Sequence, residues 1–396
     1  MPSELTFAAA CSTNPDTVEA IAEACSSAME QLGGAPDLAI VFLSADHSSN
    51  DVDIAGELHA RLGTQHIIGC SGESIVATGK EVEGASAVSL WLARLPGVTA
   101  TTMHLSFVRA PEGGSLVGWP DSLTDAWPAD AVMLALGDPY SFPAELLLQL
   151  VNDEHPGVPV VGGMASAASS PGENLLICGE KSFHEGAVAV LLHGPIRVRT
   201  LVSQGCRPIG EPFVITKADR NVILQLGGMP AYQRLIEVYQ TLATSEQDMV
   251  RRGLHVGRVV TEYQDKFEQG DFLVRNVVGV EEETGGIAIG DYVRVGQTVQ
   301  FHVRDADTAD AELRQLLARA KHDSANHWAG GLLFTCNGRG TRLFSEPHHD
   351  AAAIRDAFGD IPVAGFFAAG ELGPVGGHNF IHGFTASLAL FDSPRT

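Results

Sequence analysis

The residues best suited to bind a charged small molecule lie in a short glycine-containing segment near the C-terminal end of the chain. Arg339 stands between Gly338 and Gly340, and Cys336 and Asn337 precede it directly after an apolar run. A guanidinium holds a carboxylate through two parallel hydrogen bonds, so arginine is the side chain best suited to clamp one. The flanking glycines free the backbone for close approach to a ligand. The segment therefore predicts a site for an anionic group.

An acidic residue in the next loop complements this arginine. Glu371 follows Gly370 at the end of the same apolar region, where its carboxylate can receive an ammonium group. Together with backbone N–H groups from the glycines, the pair suits an amino-acid-like zwitterion. The alternative is that Arg339 and Glu371 pair only with each other, for structure.

A similar loop near the N-terminal end carries a second candidate carboxylate. Its acid follows a glycine, as Glu371 does, so a pseudo-symmetric pocket could use both. The alternative is that the acid caps a helix or binds loop amides within its own domain. The candidate residues of this loop are Cys70, Ser71, Gly72 and Glu73.

Cysteine catalysis, metal and haem are alternative chemistries. A nucleophilic Cys336 or Cys70 needs a histidine base, and His378 and His382 are the nearest candidates to the former. No recognisable cysteine-histidine signature is present, so we predict no enzyme. The spacing of the two histidines is compatible with metal, but we predict structural histidines and no metal. We expect no cofactor; haem stays an alternative, since a single axial histidine leaves no spacing to test.

Three copies of one supersecondary unit position these loops. Each copy reads as a buried strand, a helix, a second strand leading into a loop of small residues, and a further apolar strand. Equivalent loops tend to collect on one side of a sheet, where a cleft can form. The first strands of the three copies are Asp37–Ala45, Asp130–Pro139 and Gly330–Gly340. The second strands, each with the small-residue loop at its end, are His66–Glu73, Val158–Ser166 and Ile361–Glu371.

The remaining segments favour an α/β (mixed α+β) fold in two domains, with layered mixed sheets covered by helices and built from repeated β-α-β-β units. Asn14 is predicted to cap the first helix, and Pro230 to open another. The strand-rich stretch between 272 and 304 is a candidate degenerate fourth repeat. We place the domains at 1–222 and 223–396, with two repeat units in the first.

Composition narrows the class of protein. The net charge of −23 argues against a nucleic-acid partner and disfavours an anionic membrane surface. The 6 cysteines are scattered without paired spacing, as in a reduced compartment. No apolar stretch of about 20 residues is present to span a bilayer. We therefore expect a cytoplasmic protein.

The chain resembles the FIST family, a pair of sensory domains found in bacterial signalling proteins and in a eukaryotic F-box protein. The resemblance covers almost the whole chain, with an N-terminal FIST domain over roughly the first half and a C-terminal FIST domain after it. The segments that carry it are IIGCSGE (Ile67–Glu73), SQGCRPIGEPFVITKADRNVILQLGGMPA (Ser203–Ala231), LLFTCNGRG (Leu332–Gly340), PVAGFFAAGELGP (Pro362–Pro374) and HNFIHGFTASLALF (His378–Phe391).

The resemblance implies signal transduction by a sensor that binds a small ligand, with amino acids suggested as ligands. In larger relatives such domains stand beside kinase, cyclase or chemotaxis modules; no segment here resembles one, so the downstream signalling partner is unidentified. The alternatives are a haem-binding gas sensor, a protein-docking scaffold and an unrecognised cysteine-dependent enzyme.

Overall fold

The computed structural model describes residues 5–48, 52–110, 113–123, 127–260, 262, 267, 270–281, 283–322 and 328–392. The chain forms two compact units, one made of Met1–Val202 and Leu313–Thr396 and the other of Ser203–Glu312. The predicted boundary between residues 222 and 223 falls inside the second unit, and it stays a prediction about sequence domains.

The elements alternate between strand and helix in the first half of the chain. They are β1 Thr6–Ser12, α1 Thr17–Leu32, β2 Leu38–Ser44, α2 Ala45–Ser48, α3 Ile54–Leu62, β3 Ile67–Gly72, β4 Ile75–Ala77, β5 Lys80–Val82, β6 Val88–Arg94, β7 Thr99–Ala110, β8 Gly113–Val117, β9 Val132–Gly137, α4 Ala144–Glu154, β10 Val160–Met164, β11 Leu176–Cys178, β12 Lys181–Phe183, β13 Ala187–His193 and β14 Arg197–Ser203.

A strand-rich stretch follows before the alternation returns. Its elements and the last ones are β15 Cys206–Asp219, β16 Val222–Leu226, β17 Met229–Pro230, α5 Ala231–Thr241, α6 Thr244–Arg252, β18 Leu254–Val259, β19 Phe272–Glu281, β20 Gly286–Ile289, β21 Thr298–Arg304, α7 Ala306–His322, β22 Gly330–Cys336, α8 His349–Phe358, β23 Val363–Ala368, β24 Glu371–Val375, β25 His378–His382 and β26 Ala386–Asp392. The mixed α/β class is confirmed.

The sheets of the first unit share one strand order. In the described residues, the first sheet runs β1-β6-β2-β3-β11-β12, the second β8-β7-β13-β9-β10-β24-β25, and the third β14-β26-β22-β23-β4-β5. In each, the two strands joined by a helix are parallel neighbours, and the following long strand pairs antiparallel with the first of them. Each sequence repeat therefore supplies the middle of one sheet.

Each repeat also supplies a hairpin to a sheet other than its own. The hairpin β4–β5 of the first repeat pairs with β23 in the third sheet. The hairpin β11–β12 of the second repeat pairs with β3 in the first sheet. The hairpin β24–β25 of the third repeat pairs with β10 in the second sheet. The exchange is cyclic and ties the three repeats together.

The central strands are buried on both faces, as their unbroken apolar sequences predict. One face of each of the three sheets of the first unit contributes to a shared core in which the rings of Phe42, Phe334 and Phe366 lie with centroids 5.3 to 6.1 Å apart. The opposite faces pack against helices, namely α1 and α3, α4, and α7 with α8.

A glycine fixes the register of each parallel strand pair. At an equivalent point of each parallel pair in the first unit the second strand carries a glycine, because a Cβ there would lie 1.8 to 2.5 Å from a carbonyl oxygen of the first strand. Side chains are excluded at this distance, so the position serves as a common reference point for comparing the repeats. The facing pairs are Val41 with Gly69, Ala135 with Gly162, and Leu333 with Gly365.

The first helix begins two residues later than the sequence predicts. Asp16 is its N-cap and accepts a hydrogen bond from the backbone N–H of Glu19, whereas the side chain of Asn14 accepts one from the N–H of Asp16. The prediction that Asn14 caps the helix is therefore wrong. Both residues are good caps by type, and only the turn geometry separates them.

The second unit is a closed antiparallel sheet with the order β15-β21-β18-β19-β20-β16-β17, closed because β15 also pairs with β16. Helix α5 begins after Pro230, as predicted, and packs on this unit's apolar core. The strands between 272 and 304 pair antiparallel. They do not form a fourth β-α-β unit, so that expectation is wrong.

Among the described residues, no helix combines the length and the apolar character needed to traverse a lipid bilayer.

Candidate functional site

The loops that follow the second strand of each repeat meet inside the first unit. The N–H of Ser166 in the second repeat donates to the carbonyl of Ser71 in the first, at 3.1 Å. The N–H of Ala369 in the third repeat donates to the carbonyl of Met164 in the second, at 2.9 Å. The loops therefore converge, as the repeated sequence predicts.

One hydroxyl completes the ring of contacts. The Ser166 Oγ donates to the carbonyl of Phe367 and accepts from the N–H of Glu73 at 2.9 Å. It thereby adds a side-chain link between the first repeat and the third, beside the direct hydrogen bond from the N–H of Phe367 to the carbonyl of Ser74 at 2.9 Å. Ser71 and Ser166 at this junction are buried, and the loops are hydrogen-bonded to one another.

A cavity of about 340 Å³ lies beside this junction, between loops of the first and third repeats. Its walls bring together residues from four loop or strand ends, all within the first unit. They are Glu73, Ser74, Glu83, Gly84, Asn337, Thr341, Arg342 and Phe367. Charged, amide, hydroxyl and aromatic groups share the space, as is common in sites for small polar ligands.

An ion pair between distant segments lies in the cavity wall. Both terminal nitrogens of the Arg342 guanidinium bond the carboxylate of Glu73, one of them at 3.1 Å, and that same nitrogen donates to the carbonyl of Asn337 at 2.8 Å. The side chains are 58% and 38% exposed, so the pair is accessible to solvent. The hydrogen bonds that Arg342 donates to Glu73 raise the pKa of Arg342 above its usual value.

A second carboxylate is fixed on the same wall. Glu83 accepts hydrogen bonds from the backbone N–H of Thr341 at 3.1 Å and from the Thr341 hydroxyl at 2.7 Å. Gly340 has a positive φ of 56°, and a Cβ there would lie 2.8 Å from the Glu83 carboxyl group. The glycine is thus required for the loop backbone to approach Glu83.

Arg339, the predicted carboxylate clamp, lies outside the cavity wall. It is 0% exposed, and two of its nitrogens bond the two oxygens of Asp350 at 2.7 Å. Its guanidinium also lies 5.2 Å from the ring centre of Phe344. The expectation that Arg339 faces an open cleft is corrected, since Asp350 at the start of α8 holds it in the interior.

The buried ion pair has a further acid beside it. Burial alone would raise the pKa of Asp350, but the charge and hydrogen bonds of Arg339 outweigh it and hold the pKa well below its usual range. Burial, followed by the charge of Asp350, raises the pKa of Glu81. Glu81 accepts hydrogen bonds from the N–H groups of Asp350 and Ala351 at the N-terminus of α8, both at 3.0 Å.

Glu371 is also buried, at 0% exposure, and it does not pair with Arg339 in a salt bridge. Its carboxylate accepts from the backbone N–H and the hydroxyl of Thr385 at 3.1 and 2.8 Å. Burial raises the pKa of Glu371 to about 8, although hydrogen bonds from Thr385 and the Cys336 thiol act in the opposite direction. Its expected place in an open cleft is corrected as well.

Glu73 and Glu371 do not occupy equivalent positions in their repeats, although each follows a glycine in the sequence. Counted from the reference glycines, Glu73 lies four residues after Gly69, whereas Glu371 lies six after Gly365. The equivalents of Glu73 are Ser166 and Ala369, which take part in the junction. A pseudo-symmetric pocket using both acids is therefore not what the fold builds.

The other predicted residues divide between the junction and the cavity. Of the set, Glu73 and Asn337 line the cavity, and their role in ligand binding stays a prediction. The remaining residues belong to the loops themselves. The Ser71 hydroxyl accepts a hydrogen bond from the N–H of Leu175, and the Gly370 carbonyl accepts one from the N–H of Met164. Cys70 is buried, which raises the pKa of its thiol. Gly72 packs on Phe366, and the N–H of Gly338 donates to the Cys336 sulfur at 3.4 Å.

Sequence reasoning missed Arg342, Glu83 and Thr341. A second arginine three residues after Arg339 is visible in the sequence, and the short helical turn Gly340–Arg342 turns it toward the cavity. Glu83 gives no such signal, because its partner Thr341 is 258 residues away.

The family models for the FIST N domain and the FIST C domain match residues 37–229 and 229–374. An uncharacterized protein of Mycobacterium tuberculosis is 47% identical over 381 residues, which cover 96% of this chain and 98% of that protein. An uncharacterized protein of Mycobacterium bovis is 43% identical over 380 residues, covering 96% and 97% of the two chains. FIST domains are associated with sensory and signal-transduction proteins.

Proposed function

The chain belongs to the FIST family, and from that premise we propose that it is a cytoplasmic sensor that binds a small polar metabolite, such as an amino acid. The ligand occupies the cavity beside the junction of the repeats. It is bound and released unchanged, so the protein is not an enzyme.

The observation that supports this proposal is the exposed Glu73–Arg342 pair in a cavity of about 340 Å³. Opposite charges held a few ångströms apart match the carboxylate and ammonium groups of a zwitterion. A guanidinium in solvent can exchange a protein carboxylate for that of a ligand at small cost, because an exposed ion pair contributes only about 0 to 1 kcal/mol. The buried Arg339 cannot make such an exchange without leaving Asp350 uncompensated.

The signal in this proposal is a change in the link between repeats. Glu73 and Arg342 are 269 residues apart in sequence, and their ion pair joins the first-repeat loop to the third-repeat loop. A ligand that takes over both charges replaces this direct link by one through itself. The rearranged loops are then presented to a downstream signalling partner.

Isothermal titration calorimetry with a panel of amino acids and small carboxylates tests the proposal. Arg342→Gln keeps a polar side chain but removes the charge, and we expect about a tenfold or greater loss of affinity. Arg61→Gln is the matched control, because Arg61 forms an exposed ion pair with Glu57 on α3, away from the cavity walls. Absence of binding to the wild-type protein, or equal affinities in wild type and Arg342→Gln, would refute the proposal.

A further inference from the structure

The cavity carries more negative than positive charge. Glu73 and Glu83 contribute two carboxylates to its walls, and Arg342 contributes one guanidinium. The interior behind the walls does not restore the balance, since the buried Arg339 is neutralised by Asp350. The charges of Glu73 and Arg342 compensate each other, or are compensated by the two ends of a zwitterion. The negative charge of Glu83 then has no counterpart in the cavity wall.

Glu83 is held in place by groups that do not cancel its charge. Its hydrogen bonds come from the backbone N–H and the hydroxyl of Thr341, which are neutral donors. A carboxylate has about four acceptor positions, so capacity for a further donor remains. Gly340 and Thr341 fix the carboxylate against the loop, which lowers the entropic cost of using it for recognition.

The carboxylates of Glu83 and Glu73 both interact with the positive charge of Arg342. The pKa of Arg342 is raised first by its hydrogen bond with Glu73 and further by the charges of Glu73 and Glu83. All three ionised groups are thus close enough to interact. A ligand that meets Glu73 and Arg342 with its main-chain ends would place its side chain in the same small volume as Glu83.

We propose that Glu83 is a specificity-determining residue that selects amino acids with a cationic side chain. This inference rests on the proposed function: the ligand carboxylate binds Arg342, its ammonium binds Glu73, and a side-chain ammonium or guanidinium donates to Glu83. A neutral side chain of similar size partly desolvates Glu83 without supplying a positive charge, and an aliphatic one supplies no hydrogen-bond donor either, which is unfavourable. An acidic side chain adds like-charge repulsion.

Two pairs of closely related ligands test the side-chain charge. L-lysine and L-norleucine differ by the terminal ammonium, and L-arginine and L-citrulline differ by the guanidinium charge. Calorimetry on the wild-type protein is expected to give an affinity about tenfold or more higher for the charged member of each pair. This comparison needs no variant, so it does not depend on how well a variant folds.

Glu83→Gln tests the residue. We expect it to weaken the binding of lysine and arginine about tenfold, while norleucine and citrulline bind no more weakly than to the wild type because the neutral amide costs less to desolvate. Glu57→Gln, which removes an exposed carboxylate paired with Arg61 on α3, should change neither pair.

Each other outcome overturns the inference. Equal affinities within both pairs would show binding without charge selection, leaving the proposed function intact. A preference that survives Glu83→Gln would remove Glu83 from the role. If no member of either pair binds, the inference falls, and the wider panel then decides whether the proposed function falls with it.

Discussion

Arg339 and Arg342 belong to one short loop, yet one is sealed in the interior and the other lies in an open cavity. Arg339 is 0% exposed in a two-bonded pair with Asp350, whereas Arg342 is 58% exposed in a pair with Glu73. A buried pair cannot lose one partner cheaply, because the remaining charge has no solvent. An exposed pair can lose one partner at small cost because water solvates the remaining charge, and a binding site that exchanges a protein carboxylate for a ligand requires this. Arg339 therefore has a structural role, whereas the exposure of Arg342 supports its proposed role in ligand recognition.

Replacing the buried arginine should have the largest effect. Arg339→Met leaves Asp350 as an uncompensated buried carboxylate, so we expect the free energy of unfolding to fall by about 3 to 5 kcal/mol in urea titrations. The double variant Arg339→Met with Asp350→Leu should recover much of this loss, because an apolar pair needs no compensation. A loss below about 1 kcal/mol for the single variant would contradict the buried assignment.

The buried Glu371, at the start of β24, should make the free energy of unfolding depend on pH. Burial raises its pKa to about 8 in the folded protein, against about 4.3 in an unfolded chain. Between these values the unfolded chain releases a proton that the folded protein keeps, so stability falls as pH rises, by at most about 1.4 kcal/mol per unit. In Glu371→Gln this contribution disappears, and the stability difference from wild type should change between pH 5 and pH 8. A constant difference would contradict the prediction.

Ser166 separates the junction from the cavity. In Ser166→Ala the N–H of Glu73 and the carbonyl of Phe367 lose their shared partner inside the protein, which should cost about 1 to 3 kcal/mol of stability. Unfolding titrations measure the cost. Because the Ser166 hydroxyl is not part of the cavity wall, the calorimetric ligand affinity should change much less than in Arg342→Gln. An equal loss of affinity would make the junction and the cavity one site.

The exposed pair should have the smallest effect on stability. Glu73→Gln and Arg342→Gln should each change the free energy of unfolding by about 1 kcal/mol or less, and a double-mutant cycle should give a coupling of about 0.2 to 1 kcal/mol that shrinks with salt. A coupling as large as that expected for Arg339 and Asp350 would remove the contrast between the two arginines.

The sequence predicts the repeated units well because their signals are local. Apolar runs, helix periodicity and glycine loops identify β2, β9 and β22 and their partners without knowledge of contacts. The hairpin exchange has no such signal, since the hydrogen bond between Thr78 and Val363 joins residues 285 apart. The predicted α/β class therefore follows from the pattern, whereas the identity of the neighbouring sheet does not.

For the candidate site, the sequence points to two loops that line the cavity, but it singles out the buried Arg339 and misses the exposed Arg342. Which of them is buried depends on Asp350, whose carboxylate is positioned by the start of α8 and by Thr335, which donates to it at 2.6 Å. The glycines on both sides of Arg339 suggest a site for a ligand. Gly340, however, is required because a Cβ there would lie 2.8 Å from the carboxyl group of Glu83. Side-chain type predicts the chemistry, and only packing decides which copy of it is accessible.

The cyclic hairpin exchange has a consequence for how the chain reaches its native state during synthesis. The first-repeat hairpin β4–β5 pairs with β23, a strand that leaves the ribosome long after the hairpin, since the hydrogen-bonded residues Thr78 and Val363 are 285 apart in sequence. Until then that hairpin has no sheet to extend, and the second sheet lacks β24 at its edge. Unprotected edges invite pairing with the wrong chain. Nascent chains stalled before residue 363 should accordingly be protease-sensitive and dependent on chaperones, and release of the segment from β23 to β26 should complete the second and third sheets together, because, of the three, only the first sheet draws all its strands from earlier residues.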